Sequence, residues 1–226
     1  MLQSATLGVV ISLLSYQLGV FLKTKTKKAL FNPLLISIIL VILFLLIFDV
    51  DYSSYNQSAK YLSYLLTPAT VSLAIPLYEK LALLKKHYVT VLTAILAGVL
   101  TSLVSILAMS VLFQLSHEGY VTLLPKSITT AIGIGISEEL GGYVSITAAS
   151  IIVTGILGNM VGEGICKWFR IKHSISKGLT FGTASHAIGT SKATELGQVE
   201  GAMSSLAIVV SGLMTVILAS LFAMLY

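Results

Sequence analysis

The stretch Gly182-Thr-Ala-Ser-His-Ala-Ile-Gly-Thr-Ser-Lys-Ala-Thr-Glu-Leu-Gly197 decides how this chain is read. It is long enough to enter a bilayer, yet it mixes a histidine, a lysine, a glutamate and several hydroxyls with its apolar residues. The rest of the chain supplies the setting. Hydrophobic residues make up 56% of the 226 positions and charged residues only 10%, where soluble domains carry about 25% charge. A soluble fold cannot bury that much apolar side chain, so much of it must face lipid, and a chain in lipid must satisfy its backbone internally, as helices do. The expected class is all-α: a polytopic membrane protein.

A hydrocarbon core takes roughly 20 apolar residues per helix. Full spans are expected near Ser4–Leu22, Pro33–Phe48, Leu62–Leu84, Tyr88–Leu115, Tyr143–Ile165 and Gly201–Tyr226. Two further segments, Val121–Gly142 and Gly178–Val199, are long enough to enter the membrane but are rich in Gly, Ser and Thr. The sequence therefore reads as one transmembrane domain over 1–226, with two N-terminal spans in 1–60 and a core in 61–226. The start of the chain has no basic n-region and no small-residue cleavage site, and reads as a retained first span. Cys166 is the single cysteine, so an intramolecular disulfide and a CxxC metal site are excluded. No cofactor is expected, and no basic run is interleaved with aromatics in a nucleic-acid manner.

Positive charge sets the orientation. Lys23, Lys25, Lys27 and Lys28 form one cluster, Lys80, Lys85 and Lys86 a second, and Lys167, Arg170, Lys172 and Lys177 a third; together they hold 11 of the 14 basic residues. Placing all three in the cytosol puts the N-terminus outside. It also forces Val121–Gly142 to enter and leave on the outer side, and allows Gly178–Val199 to do the same from the cytosol. The alternative is that one segment crosses and the rule is broken once.

The two segments resemble each other. Glu139-Leu140-Gly141 aligns with Glu195-Leu196-Gly197, each preceding a long span. Pro68 and Pro125 open a weaker match further upstream. Inverted repeats with broken helices are a transporter signature; compositional likeness among small-residue membrane helices is the competing account. Pro68, Pro76 and Pro125 are the expected helix breaks.

In the first segment Pro125 suits a helix start that would carry Lys126, Ser127, Thr129 and Thr130, with Gly133 one turn on. A helix N-terminus plus an ammonium and hydroxyls suits a small carboxylate; the bland reading has Lys126 snorkelling to headgroups. In the second, Thr183, Ser185, His186, Gly189 and Thr190 fall within two helical turns. A buried imidazole can donate to a carboxylate or carry a coupled proton; it can equally be a helix–helix hydrogen-bond partner. Glu139 and Glu195, acidic residues at span ends, join His186 as candidates for ion coupling. Glu163 stands four residues before Lys167 and reads as a structural pair. Gly158 and Gly162 form a small-residue packing face. Ser185 and His186 are adjacent and no third acid orients them, so a hydrolase is a poor reading.

At Thr67-Pro-Ala-Thr-Val-Ser-Leu-Ala-Ile-Pro-Leu-Tyr-Glu79, Leu124-Pro-Lys-Ser-Ile-Thr-Thr130, Gly178-Leu-Thr-Phe-Gly-Thr-Ala-Ser-His-Ala-Ile-Gly-Thr190 and the tail from Glu195, the chain resembles the LrgB/CidB family of bacterial membrane proteins. Many members carry Pro after the paired threonines; here Ala131 stands there. The resemblance implies a multi-pass protein of the bacterial plasma membrane without catalytic activity. It implies two functional descriptions. One is a carrier of small monocarboxylates of the pyruvate, glycolate or glycerate type. The other is a holin- or antiholin-like protein that modulates murein hydrolase export, autolysis and programmed cell death with a small LrgA/CidA-type membrane partner. Homo-oligomerisation is open under either.

Overall fold

The computed structural model describes residues 6–26, 31–72 and 74–226; Lys27 and Lys28 lie outside them. Among the described residues the chain is helical, with no strand. It divides into two compact units, 1–72 and 73–226.

In the first unit, α1 (Leu7–Thr26) and α2 (Pro33–Ile47) pack against each other. Asn32 caps α2, its side-chain oxygen accepting from the Leu34 and Leu35 N–H groups at 2.9 and 3.3 Å, and Pro33 takes the first helical position, where its missing N–H costs nothing. Asp51 caps the short α3 (Tyr52–Ala59). Hydrogen bonds from the Ser53 hydroxyl and N–H hold its carboxyl below the usual carboxylate range. The Gly8 N–H donates to Ser58 Oγ at 2.7 Å, tying α3 to α1. A 3₁₀ stretch, Lys60–Leu65, leads into α4 (Leu66–Ser72).

The second unit opens with α5 (Ala74–Glu79) and α6 (Leu81–Phe113), the latter kinked at His87. Over the span expected at Leu62–Leu84, with breaks at Pro68 and Pro76, the described residues form a 3₁₀ stretch, helix over Leu66–Ser72 and Ala74–Glu79 and, after Lys80, the first residues of α6. Pro68 stands third in α4, inside the first turn that needs no proline N–H. Among the described residues, four helices are long and apolar enough to cross a bilayer: Leu7–Thr26, Lys85–Phe113, Val144–Trp168 and Gln198–Ala223. Pro33–Ile47 is a shorter apolar helix.

Between α6 and the next long helix, α9 (Val144–Trp168), the chain makes a hairpin of two short helices, α7 (His117–Leu123) and α8 (Thr130–Glu139). Contacts across it show the reversal. Thr147 Oγ1 is 2.9 Å from the Thr122 carbonyl and 2.7 Å from Ser137 Oγ, while the Tyr143 N–H donates to Thr122 Oγ1 at 2.8 Å. Thr122 on α7 therefore lies level with Ser137 on α8 and with the start of α9. Gly141, at φ +79°, turns the chain out of the hairpin, a conformation that glycine adopts without Cβ strain. The hairpin enters and leaves on one side.

The helix α10 (Ser174–Leu196) is a second hairpin, broken at His186 with φ 42° and ψ −137°. A Cβ on Gly189 would stand 2.6 Å from the carbonyl of Phe181, eight residues earlier; along an unbroken helix those positions are about 12 Å apart. Leu196 shares a surface pocket with Lys177, whereas 19 residues of straight helix span about 28 Å. The halves 174–185 and 187–196 therefore run back to back. After Gly197 the chain continues as α11 (Gln198–Ala223).

The two hairpins enter from opposite sides. Tyr120 and Tyr226 donate to the Phe222 and Leu115 carbonyls at 2.8 and 2.7 Å, so the end of α11 meets the base of the first hairpin. Cys166, near the end of α9, packs with Phe181 and Ala193 of the second. Each unit of hairpin plus long helix, α7–α8–α9 and α10–α11, is the inverse of the other in direction, and Glu139-Leu-Gly and Glu195-Leu-Gly occupy the same exit in both. The basic clusters at Lys85–Lys86 and Lys167–Lys177 lie on the side where α10 enters, since Thr90 on α6 and Ser176 on α10 line one cavity near those ends.

Candidate functional site

The hairpin tips meet at mid-height of the long helices. Ser127 and Ile128 of the first tip share a narrow cleft with Thr183, Ser211 and Thr215, and Ser102, near the middle of α6, is 3.1 Å from Ser127, hydroxyl to hydroxyl. Beside this junction lies a cavity of about 650 Å³. The first hairpin contributes Lys126 and Ser127. The second contributes Thr183, Ala184 and Ser185 at its tip, with Ser176 and Thr180 below. α6 contributes Gly98, Thr101, Ser102 and Ser105, and α9 contributes Thr154 and Gly158. Neither α7 nor α8 lines it, so the cavity extends from the tips toward the basic side.

Lys126 is half-buried, and its ammonium donates to Ser127 Oγ at 3.1 Å. The ion pairs of this unit join Glu163 to Lys167 and Lys192, and Lys192 to Glu195, at 2.8, 3.4 and 3.1 Å. Lys126 is in none of them: among the described residues it faces the cavity without a carboxylate. A desolvated ammonium without a counter-charge is costly, and attraction to an anion in a low-dielectric site is correspondingly strong. Thr183 Oγ1 is buried and has no hydrogen-bond partner among the described residues. The site thus offers one cation, and the unclaimed Thr183 hydroxyl lies buried beside it.

The second tip is held by shape. Gly155, Gly158 and Gly162 form a groove on α9 that receives the His186 ring, Ser185 and Phe181; any Cβ there would collide with the hairpin. The His186 Nε2–H donates to the Ile151 carbonyl at 3.0 Å, since a carbonyl can only accept. Asn159 Nδ2 donates to the Ile188 carbonyl at 2.8 Å. On the other flank Thr190 Oγ1 pairs with Ser204 Oγ of α11 at 2.7 Å.

Of the residues expected from sequence, Lys126, Ser127, Thr183 and Ser185 come together on the cavity. The others lie elsewhere. Pro125, Lys126 and Ser127 occupy the tip loop and not a helix start, because α8 begins only at Thr130 with Thr129 as its cap. Thr129 and Thr130 are half-buried at that helix end, and Gly133 packs against Ile151 and Pro125. His186, Gly189 and Thr190 are buried within the packing of the second hairpin. Glu139 is exposed at the far end of α8, and Glu195 is exposed beside Lys192. Thr101, Ser102, Ser105, Thr154, Ser176 and Thr180 line the cavity without having been expected from sequence. Small and hydroxyl residues at 98, 101, 102 and 105, and at 176, 180 and 183, recur at helical spacing, which is the signal that could have found them.

Together these features define a multi-pass α-helical membrane protein whose second unit holds two opposed hairpins. The chain belongs to the LrgB-like family, whose sequence pattern matches residues 12–225. Relatives named antiholin-like protein LrgB, from Bacillus mycoides and Bacillus cereus, are 38% identical over 216 residues, covering 95% of this chain and 94% of theirs. No solved structure matches it.

Proposed function

We propose that this protein is a carrier for a small monocarboxylate of the pyruvate, glycolate or glycerate type. The observation that supports this best is the Lys126 ammonium, facing a cavity edged by hydroxyls at the junction of two inverted hairpins, with no carboxylate beside it among the described residues. Lys126 holds the carboxylate. Ser127, Thr183 and Ser185, with Ser102 and Thr154, meet the remaining oxygens. A three-carbon acid is far smaller than the cavity, so the rest of the volume is a solvated vestibule leading to the basic side. By the positive-inside rule that side is cytosolic and the N-terminus is outside.

The test is uptake of labelled pyruvate and glycolate into proteoliposomes. Lys126→Gln should lower saturable flux at least tenfold while the thermal midpoint in detergent stays near that of the parent. Unchanged flux would sink the assignment.

A second reading rests on the name its relatives carry, antiholin-like. An antiholin-like protein acts on the permeability state of the membrane, in company with a small LrgA/CidA-type partner. It predicts release of entrapped dye without saturation or chemical preference, and co-purification of a small membrane protein. The gathering of hydroxyls around one bounded cavity beside a single ammonium favours the carrier.

A further inference from the structure

A second pocket, of about 320 Å³, lies at the base of the α10 hairpin. Lys167 from the end of α9, Arg170 and Lys172 from the connecting turn and Lys177 from the first turn of α10 line it, together with the apolar Ile171 and Leu196. Glu163 is the one carboxylate in the lining, and it is already engaged by Lys167 at 2.8 Å and Lys192 at 3.4 Å. Arg170, Lys172 and Lys177 therefore have no carboxylate partner among the described residues. Three uncompensated cations around one concavity call for an anion of more than one contact point. Trp168 and Phe169 stand beside it, 80% and 65% exposed, as aromatic residues do at the headgroup level of a bilayer. The apolar lining, the exposed aromatics beside it and the charge agree on a phosphate that arrives attached to a lipid.

We propose that this pocket binds the phosphate headgroup of an anionic phospholipid from the leaflet on the basic side. Its position gives the lipid a structural consequence. Lys177 begins the first half of the hairpin and Leu196 ends the second, so one headgroup touches both legs of α10 and the end of α9. The lipid pins the base of the hairpin whose tip lines the central cavity. The proposal does not depend on what that cavity carries.

The whole protein in neutral detergent is titrated with short-chain phosphatidylglycerol, with short-chain phosphatidylcholine and with inorganic phosphate. Bound lipid is counted by native mass spectrometry, and the thermal midpoint is followed in parallel. Phosphatidylglycerol should bind and raise the midpoint, and phosphatidylcholine should not. A basic side chain near a membrane surface contributes roughly a five-fold change in affinity. The Lys172→Gln variant should therefore lose about five-fold, and the triple variant Arg170→Gln/Lys172→Gln/Lys177→Gln about a hundred-fold. Lys85→Gln/Lys86→Gln, on the same side but away from the pocket, should bind as the parent does. Lys172 is exposed, so its variant will fold even if the triple does not. Equal binding of phosphatidylcholine, unchanged affinity in Lys172→Gln, or an equal loss in the α6 variant would overturn the proposal. A midpoint shift from inorganic phosphate that matches the lipid's would overturn the lipid assignment and leave a free-anion site.

Discussion

The two hairpins begin from similar sequence and reach the middle of the protein by different means. The first spends six residues, 124–129, on an irregular tip between α7 and α8, and that loop presents Lys126 and Ser127 to the cavity. The second reverses at a single residue, His186, in a left-handed conformation that a side chain rarely adopts. The loose tip can carry a charge because its backbone is free to aim it. The tight tip carries shape: glycines of α9 on one flank and small residues of α11 on the other leave no room for movement. One inverted repeat has thus been divided into a charge-bearing arm and a fitted arm.

The fitted arm should be the intolerant one. A Cβ added at Gly182 would run into the Ser204 carbonyl and stand 2.7 Å from Ala207 Cβ. Both atoms belong to the α11 backbone or its immediate branch and cannot swing aside. Gly182→Ala should cost about 2–3 kcal/mol, as overpacking does. Gly135, on α8 in the other arm, has nothing within 4 Å of a built Cβ. Gly135→Ala should be neutral or stabilising by up to about 1 kcal/mol through helix propensity. Thermal midpoints of the two variants against the parent make the measurement. Similar losses in both would erase the distinction between the arms.

A smaller effect sharpens the same contrast at the tip. His186 combines a strained backbone, which costs about 1–3 kcal/mol, with a hydrogen bond to Ile151 worth about 1 kcal/mol. His186→Ala loses the bond and keeps the strain. His186→Gly loses the bond and relieves the strain. Glycine should therefore be more stable than alanine here by about 1 kcal/mol, the reverse of their order inside a helix. Alanine ranking above glycine by thermal midpoint would show that the tip is an ordinary kink.

Much of the fold is legible in the amino-acid sequence. Composition alone places the chain in a membrane, and charge counting alone suggests that 121–142 and 178–199 turn back. The match of Glu139-Leu-Gly to Glu195-Leu-Gly marks equivalent exits from the two hairpins. What residue types do not supply is direction. A histidine among hydroxyls reads as a site because the residue types are right, but Gly155 draws the ring into α9, and its Nε2–H is taken by a backbone carbonyl. Thr190 is likewise turned toward Ser204. Conversely, Ser102 and Thr154 sit in spans that read as plain lipid-crossing helices, and only the hairpins packed beside them make their faces interior. The break of Leu62–Leu84 is foreshadowed by Pro68 and Pro76. Its 3₁₀ opening at Lys60–Leu65 is not, because proline interrupts an α-helix without fixing the form of the chain that precedes it.

The smallest expected effect falls on the pair of residues that reveals the repeat. Glu139 and Glu195 are equivalent in sequence and both stand at hairpin exits, away from the cavity. Glu195 holds Lys192 at 3.1 Å with its side chain 53% exposed. An ion pair that open contributes about 0.5 kcal/mol or less, and Lys192 keeps a second partner in Glu163. Glu139 has no ion pair among the described residues, so Glu139→Gln should change the midpoint by less than Glu195→Gln does. Neither should lower saturable monocarboxylate flux more than about two-fold, since neither side chain lines the cavity. A tenfold loss of flux in one of them, with stability intact, would mean that a proton or ion is handled at the hairpin base. That result would give the two arms a further division of labour, with the affected glutamate naming the side from which the coupled ion enters.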